Sequence, residues 1–405
     1  MIINNTSQIY VSIDIGCRQH SVAIGLPKGD VLDEFDILHR PEGFKQFFER
    51  IEHHHRYHGG TVVVAMEGYN GYARPLDTLV RVRGYQLYNI NNLKLARFKE
   101  IFPAAAKNDR IDACKGLELF QLRDHLALAK DVLQEIMPAP RENDMLKRLS
   151  RRRRALVDEK SRVQSRFQGD LHAVCPGLLD ITKDADNLWF LRFITSVDEL
   201  TKLSRLRLST LLKIPGVGRK FAAEIRAWQS HASFSHEVEW VSEMIIEDAR
   251  RILALKNDIQ ALESRCKTLM QASQTAKLID SIPGFAVVCA SELAGEIGTI
   301  DRFASERSLA LYLGMANLDN SSGKFRGSKA PKHVNTRAKG AMMAAVDKHR
   351  KCVPESQGYY EKKRIEGKSH NQAIRALGRQ LCRIIFRMLK QNRAYEMRTK
   401  INENT

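Results

Sequence analysis

The sequence predicts an α/β domain at the N-terminal end, followed by a mostly helical remainder that begins with a long-helix, coiled-coil linker. Three observations carry this. Short apolar, β-branched runs alternate with amphipathic stretches through the first 125 residues. From Arg141 the chain turns strongly basic, and Leu149, Leu156 and Val163 fall seven apart. Val238–Met270 then repeats apolar residues in alternating steps of four and three.

In order, Gln8–Gly16 (QIYVSIDIG), His20–Leu26 (HSVAIGL) and the weaker run Val31–Leu38 read as a meander of three antiparallel strands. Pro41-Glu42-Gly43 opens a helix with Phe44, Phe47, Phe48 and Ile51 on one face. Thr61–Met66 (TVVVAM) has the continuous apolar character of a central buried strand. A helix over Ala73–Arg83, a strand over Tyr85–Ile90 and a helix over Leu93–Phe102 follow. The order βββ-α-β-α-β-α is that of an RNase H-like domain, among others. His53-His54-His55-Arg56-Tyr57-His58 reads as solvated helix-end histidines rather than a metal site.

Arg141–Leu171 is predicted to be one long helix that carries Arg151, Arg152, Arg153 and Arg154, with Arg153 and Lys160 interrupting its apolar seam. Pro176–Ser235 is mixed. Within it, Ile214-Pro215-Gly216-Val217-Gly218 reads either as an ordinary turn or as a helix-hairpin-helix turn, whose N–H groups hold a phosphate. Val241, Ile245, Ile252, Leu255, Ile259, Leu262, Cys266 and Leu269 form the second seam, broken at Asp248. Two readings of it stay open: packing on Arg141–Leu171 within the chain, or an oligomer interface. Ser281-Ile282-Pro283-Gly284 ends that helix, and helices over Ala286–Ile297 and Ser305–Leu313 follow. Asn317–Lys332 is a polar, Gly-rich, basic loop, followed by helices over Asn335–Val346 and Gln372–Asn392 and a frayed last dozen residues.

Lys and Arg number 65 against 47 Asp and Glu, a formal charge of +18, which points to a polyanionic partner, nucleic acid before anionic lipid. No apolar run reaches membrane-spanning length. The N-terminal residues lack the basic and apolar regions of a secretory leader. The seven cysteines are scattered without a Cys-x-x-Cys, which suggests reduced thiols in a cytoplasmic protein rather than a zinc site.

Asp14 ends the first run and Glu67 closes the buried run Val62–Met66. A carboxylate in an apolar strand is costly to bury uncompensated. Asp109 and Asp112 stand three apart, on one face if helical. In an RNase H-like sheet the first strand, the fourth strand and the following helix meet at one edge. Four carboxylates gathered there repel one another, and Mg²⁺ relieves this with hard oxygen ligands. Two ions clamp the attacking and leaving oxygens of a phosphodiester. Taken singly, Asp14 reads as a strand-end turn residue, Glu67 as a loop start, and Asp109 as an N-cap with Asp112 in the first turn. The joint pattern favours a metal-dependent site. Asp14-Ile15-Gly16 also begins actin-like sugar kinases, but the chain has no second Asp-x-Gly and a kinase does not require this charge.

The second constellation is Asn320–Lys329 (NSSGKFRGSK), with Lys324, Arg326, Lys329, Lys332, His333, Arg337 and Lys339 on and after it. Such a loop holds a phosphate and stabilises charge developing on it. A serine hydroxyl is a weak nucleophile until a base or metal activates it, so these residues alone read as a DNA-backbone loop.

Together the motifs resemble the DEDD-type insertion-sequence transposases that include the Piv site-specific invertases and are described as bridge-RNA-guided recombinases. The N-terminal match runs through Ser12–Gly16, Ala65-Met66-Glu67-Gly68 and Lys107–Ala113. The C-terminal match runs through Ile282-Pro283-Gly284, Glu296-Ile297-Gly298, Arg302-Phe303, Leu309–Ala316 and Ser322-Gly323-Lys324.

The resemblance implies a RuvC-like, RNase H-like DEDD domain over 1–130 and a coiled-coil region over 141–275 with an inserted segment near 176–235. A serine-bearing, mostly α transposase domain over 276–352 and a basic helical tail over 353–405 complete the expected organisation. By position, Asp14, Glu67, Asp109 and Asp112 would hold Mg²⁺, with Mn²⁺ as a substitute. Ser322 would be the nucleophile, with Ser321 as fallback, and would form a covalent phosphoserine link completed by the acids of another protomer. Donor and target DNA, a structured guide RNA, and a dimer that becomes a tetramer in the synaptic complex are the implied partners. The implied location is the cytoplasm, at the nucleoid. Arg151, Arg152, Arg153, Arg154, Lys324, Arg326, Lys329, Lys332 and Arg337 are the expected nucleic-acid contacts. One step departs: where the family shows Lys-x-Gly-Asn, this chain has Lys332-His333-Val334-Asn335, and Val does not share the positive-φ freedom of Gly. The alternative functions are an RNase H-like nuclease or Holliday-junction resolvase without a covalent intermediate, and a non-catalytic nucleic-acid scaffold.

Overall fold

The structure is a computed structural model describing residues 8–67, 71–102, 108–126, 132–182, 184–320, 322, 327–329, 331 and 334–397. It divides into two compact units, Met1–Pro138 and Ala139–Thr405.

The first unit is built on a mixed sheet. β1 (Gln8–Ile15), β2 (Gln19–Gly25) and β3 (Val31–Leu38) form the expected antiparallel meander. β4 (Thr61–Glu67) and β5 (Gln86–Ile90) run parallel to β1, giving the order β3-β2-β1-β4-β5. A three-residue strand, β6 (Leu133–Glu135), adds antiparallel to β5. It is too short to show a period in the sequence. The helices are α1 (Pro41–His58), α2 (Arg74–Val82), α3 (Asn92–Lys99) and α4 (Asp109–Gln121).

Alternation along the strands divides the core. Ile9, Val11, Ile13, Val22, Ile24, Val62 and Val64 pack with Phe44, Phe47, Phe48 and Ile51 of α1 and Leu76 and Val80 of α2. Tyr10, Ala23, Val63, Ala65 and Ile90 pack on the opposite face with Leu95 of α3 and Ala113, Leu117 and Phe120 of α4. β1 and β4 are covered on both faces, which is why they read as unbroken apolar runs. Gly116 brings α4 hard against β1: a Cβ there would lie 2.4 Å from Ser12 Oγ. This close approach carries the first turn of α4 to the edge where Asp14 and Glu67 end their strands.

Among its described residues, the second unit's regular structure is helical apart from one small hairpin. Its elements begin with α5 (Arg141–Val174), α6 (Leu188–Ile194), α7 (Leu208–Leu211), α8 (Arg219–Gln229) and α9 (Val238–Met270). There follow α10 (Gln274–Asp280), α11 (Val287–Ile297), α12 (Glu306–Tyr312), β7 (Leu318–Asp319) paired with β8 (Ser328–Lys329), α13 (Thr336–Cys352), α14 (Pro354–Ile365) and α15 (His370–Gln391).

α5 and α9 pair antiparallel, as their ion pairs show: Arg153 with Glu263, Glu159 with Arg251, and Arg166 with Asp248. Ile245, Ile252, Leu255 and Leu262 are buried in one core with Leu156, Val163, Phe167 and Phe190. The seam is thus filled by the chain's own residues rather than by a second copy. Asp248, the apparent break, is buried and paired with Arg166. Arg153 and Lys160, the interruptions on α5, meet Glu263 and Asp186. A second core gathers α10, α11, α12, α13 and α15.

The turn Ile214–Gly218 leads into α8, and the turn after Ile282 leads into α11 with matching hydrogen bonds. Val217 N donates to Ile214 O at 3.0 Å, and Phe285 N donates to Ile282 O at 3.0 Å. Gly216 and Gly284 take φ of 93° and 86° there, a conformation suited to glycine.

Candidate active site

Asp14 and Glu67 are register partners on the neighbouring parallel strands β1 and β4. The pairing extends across the sheet: Asp14 faces Ser21 on β2, and Ser21 faces Asp36 on β3. Asp36, Ser21, Asp14 and Glu67 therefore form one polar row across the sheet on the α4 face.

α4 supplies the other two acids. Asn108 is its N-cap, accepting a hydrogen bond from Ile111 N at 2.8 Å. Asp109 is thus the first helical residue and not the cap, and Asp112 lies one turn along. Arg110, between them, donates from Nε and Nη2 to Asp36 Oδ2 at 3.0 and 2.8 Å, while Ser21 Oγ donates to Asp36 Oδ1 at 2.7 Å. These bonds hold the Asp36 carboxyl below its ordinary range. They also tie the first turn of α4 to β3.

The electrostatics identify where charge is crowded. The Asp14 carboxyl is pushed up to about 6, first by burial, then by the like charges of Asp109 and Asp112. Lys99, the last residue of α3, opposes this and pairs with Asp112 Oδ1 at 2.8 Å. Among the described residues, no three acids, histidines or cysteines stand close enough to ligate one ion as placed. The donor chemistry nevertheless fits a hard divalent cation: carboxylates at one edge, one of them pushed up first by burial and then by the negative charge of Asp109 and Asp112. Sequence reasoning missed Lys99, Asp36 and Arg110. Arg110, set between the two helical acids, was the available signal.

In the second unit, Ser322 is exposed in the loop joining β7 to β8. The hairpin is closed by Asn320 N donating to Gly327 O at 3.0 Å. Lys329 and Arg337 are exposed beside it in sequence. Ser321, Lys324, Arg326, Lys332 and His333 lie outside the described residues. Val334 does not adopt a positive φ: among the described non-glycine residues only Asn392 does. The loop exit is therefore built without the conformation a glycine would permit.

The basic run on α5 is largely committed within the protein. Arg151 donates from Nε and Nη2 to the two oxygens of Glu296, at 2.7 and 2.9 Å. Arg154 Nη2 meets both oxygens of Glu292 at 3.2 and 3.0 Å. Glu292 and Glu296 are buried, so these guanidiniums neutralise interior charge. Arg153 pairs with Glu263. Arg152 is exposed and makes no ion pair among the described residues.

The histidines of α1 are used locally: His54 Nε2 lies 3.3 Å from Asp33 Oδ2 and His55 Nε2 lies 2.8 Å from Gly60 O. All seven cysteines are free. Among the described residues, no helix is long and apolar enough to cross a membrane.

Residues 11–176 match a family model of transposases of DEDD type, and residues 276–361 match the model described as the transposase IS116/IS110/IS902 family. The first span contains all four acids, and the second contains Ser322. The chain is 25% identical to the 43.6 kDa protein of insertion element IS110 from Streptomyces coelicolor, over 96% of each chain. It is 24% identical to the 42 kDa protein of insertion element IS900 from Mycobacterium paratuberculosis, over 84% of this chain and 86% of that one.

Proposed function

The chain belongs to the DEDD transposases of the IS116/IS110/IS902 family, and from that premise we propose that it cleaves and rejoins DNA through Asp14, Glu67, Asp109, Asp112 and Ser322. It is a DNA transposase, and the family's DEDD chemistry depends on a divalent metal. The observation that carries the site is the like-charge crowding of Asp14 by Asp109 and Asp112, on a strand in register with Glu67. The strand order β3-β2-β1-β4-β5 with α4 over β1 supports an RNase H-like reading of this unit.

Asp14, Glu67, Asp109 and Asp112 would hold Mg²⁺, for which Mn²⁺ can substitute. The ion would supply Lewis-acid stabilisation of charge on the phosphoryl oxygens and lower the pKa of the attacking hydroxyl. Ser322 Oγ attacks the DNA phosphorus, and one phosphodiester P–O bond breaks. The displaced deoxyribose oxygen takes a proton, leaving a DNA hydroxyl and a phosphoserine ester. A hydroxyl of the second strand then attacks that ester and frees the serine. Each step exchanges one ester for another, so strand transfer needs no ATP. The cations Lys329 and Arg337 balance charge on the phosphate. In this reading the acids of one protomer serve the serine of another, in a dimer that pairs into a tetramer, and a structured RNA selects donor and target by base pairing.

The test is a suicide DNA substrate with Mg²⁺ and RNA transcribed from the element's flank. A protein–DNA adduct lost in Ser322→Ala and kept in Ser321→Ala supports the reading. Cleavage that persists in Ser322→Ala without an adduct makes the protein a nuclease or junction resolvase. That second reading draws on the acid site lying wholly within one unit. Strand cleavage abolished by Asp14→Asn with DNA binding intact excludes a non-catalytic binding scaffold.

A further inference from the structure

The chain that carries Ser322 becomes exposed at Asn317, after the buried stretch 313–316, and returns at Asn335, and one buried residue, Glu296, bonds Tyr312 before that stretch through its backbone oxygen and Asn335 through its carboxylate. Glu296, 1% exposed, ends the apolar helix α11. Its Oε2 accepts from Asn335 Nδ2 at 2.7 Å while Arg151 grips both of its oxygens. The backbone oxygen of the same residue accepts from Tyr312 Oη at 2.8 Å. Asn335 Nδ2 also donates to Tyr312 Oη at 2.7 Å, and Asn335 N donates to Tyr312 O at 3.1 Å. Asn335 is at the same time the N-cap of α13: its Oδ1 accepts from Arg337 N and Ala338 N, both at 3.1 Å.

We propose that Glu296 and Asn335 are positioning residues for the Ser322 loop, a clamp at its neck that sets where the hydroxyl stands. This rests on the serine reading above and names what holds that serine in place. Several features separate the clamp from ordinary core packing. An isolated carboxylate inside an apolar helix is costly to bury. It is retained with a guanidinium on one side and an amide on the other, and the amide belongs to the residue that opens α13 after the loop. Asn335 uses every polar atom of its side chain: the oxygen starts α13, and the nitrogen closes the neck. A carboxylate in place of that amide would keep the cap and lose the donor. An alanine or leucine side chain would lose both. A reacting group displaced by about 1 Å can lose on the order of 100-fold in rate.

The test uses the full-length protein with three variants: Asn335→Asp, Glu296→Gln and the two combined. Asn335→Asp sets a carboxylate against Glu296. In the double variant the amide introduced by Glu296→Gln donates to the carboxylate introduced by Asn335→Asp, while Arg151 keeps its Nε bond to the remaining oxygen and loses its Nη2 bond. Amide hydrogen exchange is read across β7 and β8, and adduct formation is read at saturating DNA. The expected result is exchange at least about 10-fold faster in Asn335→Asp and restored in large part in the double variant. The adduct rate should fall about 10- to 100-fold and recover likewise, at unchanged DNA affinity. Exchange that does not change in Asn335→Asp, or is not restored in the double variant, overturns the clamp. Exchange that changes and is restored, in a protein whose wild type forms no adduct, upholds the clamp as the anchor of this loop and removes the serine reading instead.

Discussion

Asp14 and Glu67 sit opposite each other in register, on adjacent parallel strands whose buried residues on that face are Tyr10, Ser12, Val63 and Ala65. Two acids side by side in so apolar a setting are unfavourable for folding. Their retention makes sense if charge of the opposite sign reaches them during function. Asp14→Asn is expected to reduce strand cleavage by at least about 1000-fold, because the ligand and its charge are both lost. Its affinity for DNA should stay within a few-fold of wild type. In chelator at neutral pH the variant should unfold at a higher temperature than the wild type, since the repulsion from Asp109 and Asp112 is gone. A lower melting temperature would show that Asp14 is held by favourable contacts, and the metal assignment would lose its support.

Asp36 is predicted to act through Arg110. Asp36→Ala frees the guanidinium and lets the first turn of α4 rotate, carrying Asp109 and Asp112 with it. Cleavage should fall about 10-fold at saturating DNA, with DNA affinity unchanged. Asp36→Asn, which keeps one acceptor for Arg110, should recover part of the rate. Equal loss in both variants would argue that the carboxylate itself enters the reaction.

The four consecutive arginines should separate by partner. Arg151→Ala leaves Glu296 buried without its counter-charge and is expected to cost about 3 kcal/mol of stability. Arg152→Ala should leave thermal stability within about 0.5 kcal/mol. It should lower nucleic-acid affinity and reduce the slope of log affinity against log salt by about one. Denaturant unfolding and a salt titration of DNA binding measure the two effects. Equal slopes for wild type and Arg152→Ala would remove that residue from the interface.

His20 gives the pH dependence. It is 1% exposed, with Nε2 2.9 Å from His39 Nδ1, and burial lowers its pKa from 6.5 to about 4. Between those values the unfolded chain carries the proton and the folded one does not, so stability falls as pH drops from 6.5 towards 4. The loss attributable to this residue is at most about 3 kcal/mol. His20→Leu should flatten the stability profile over that window. Parallel profiles for the two proteins would show that His20 does not contribute.

Legibility in the sequence followed the range of the interactions. Strand identities and the strand-end positions of Asp14 and Glu67 were readable because alternation and strand-end carboxylates are local signals. The two seams were readable as helices, but what filled them was not: Asp248 looked like a flaw because its partner Arg166 lies 82 residues away. The arginine run looked like a nucleic-acid face for the same reason, since Glu292 and Glu296 are 138 and 145 residues distant in a helix that reads as apolar. Glu296 and Asn335 both stood in recognisable motifs, and only the fold connects them. α14 buries none of its residues, so it has no apolar face to announce it.

The pairing of α5 with α9 has a mechanical side. At 1.5 Å per residue the 33 residues of α9 form a rod about 50 Å long, and the 34 residues of α5 run back along it. Cross-braced by Arg153, Glu159 and Arg166, such a pair bends little. A rod of that length would turn a tilt of about 5° at one end into a displacement of about 4 Å at the other, the scale of a single base-pair step.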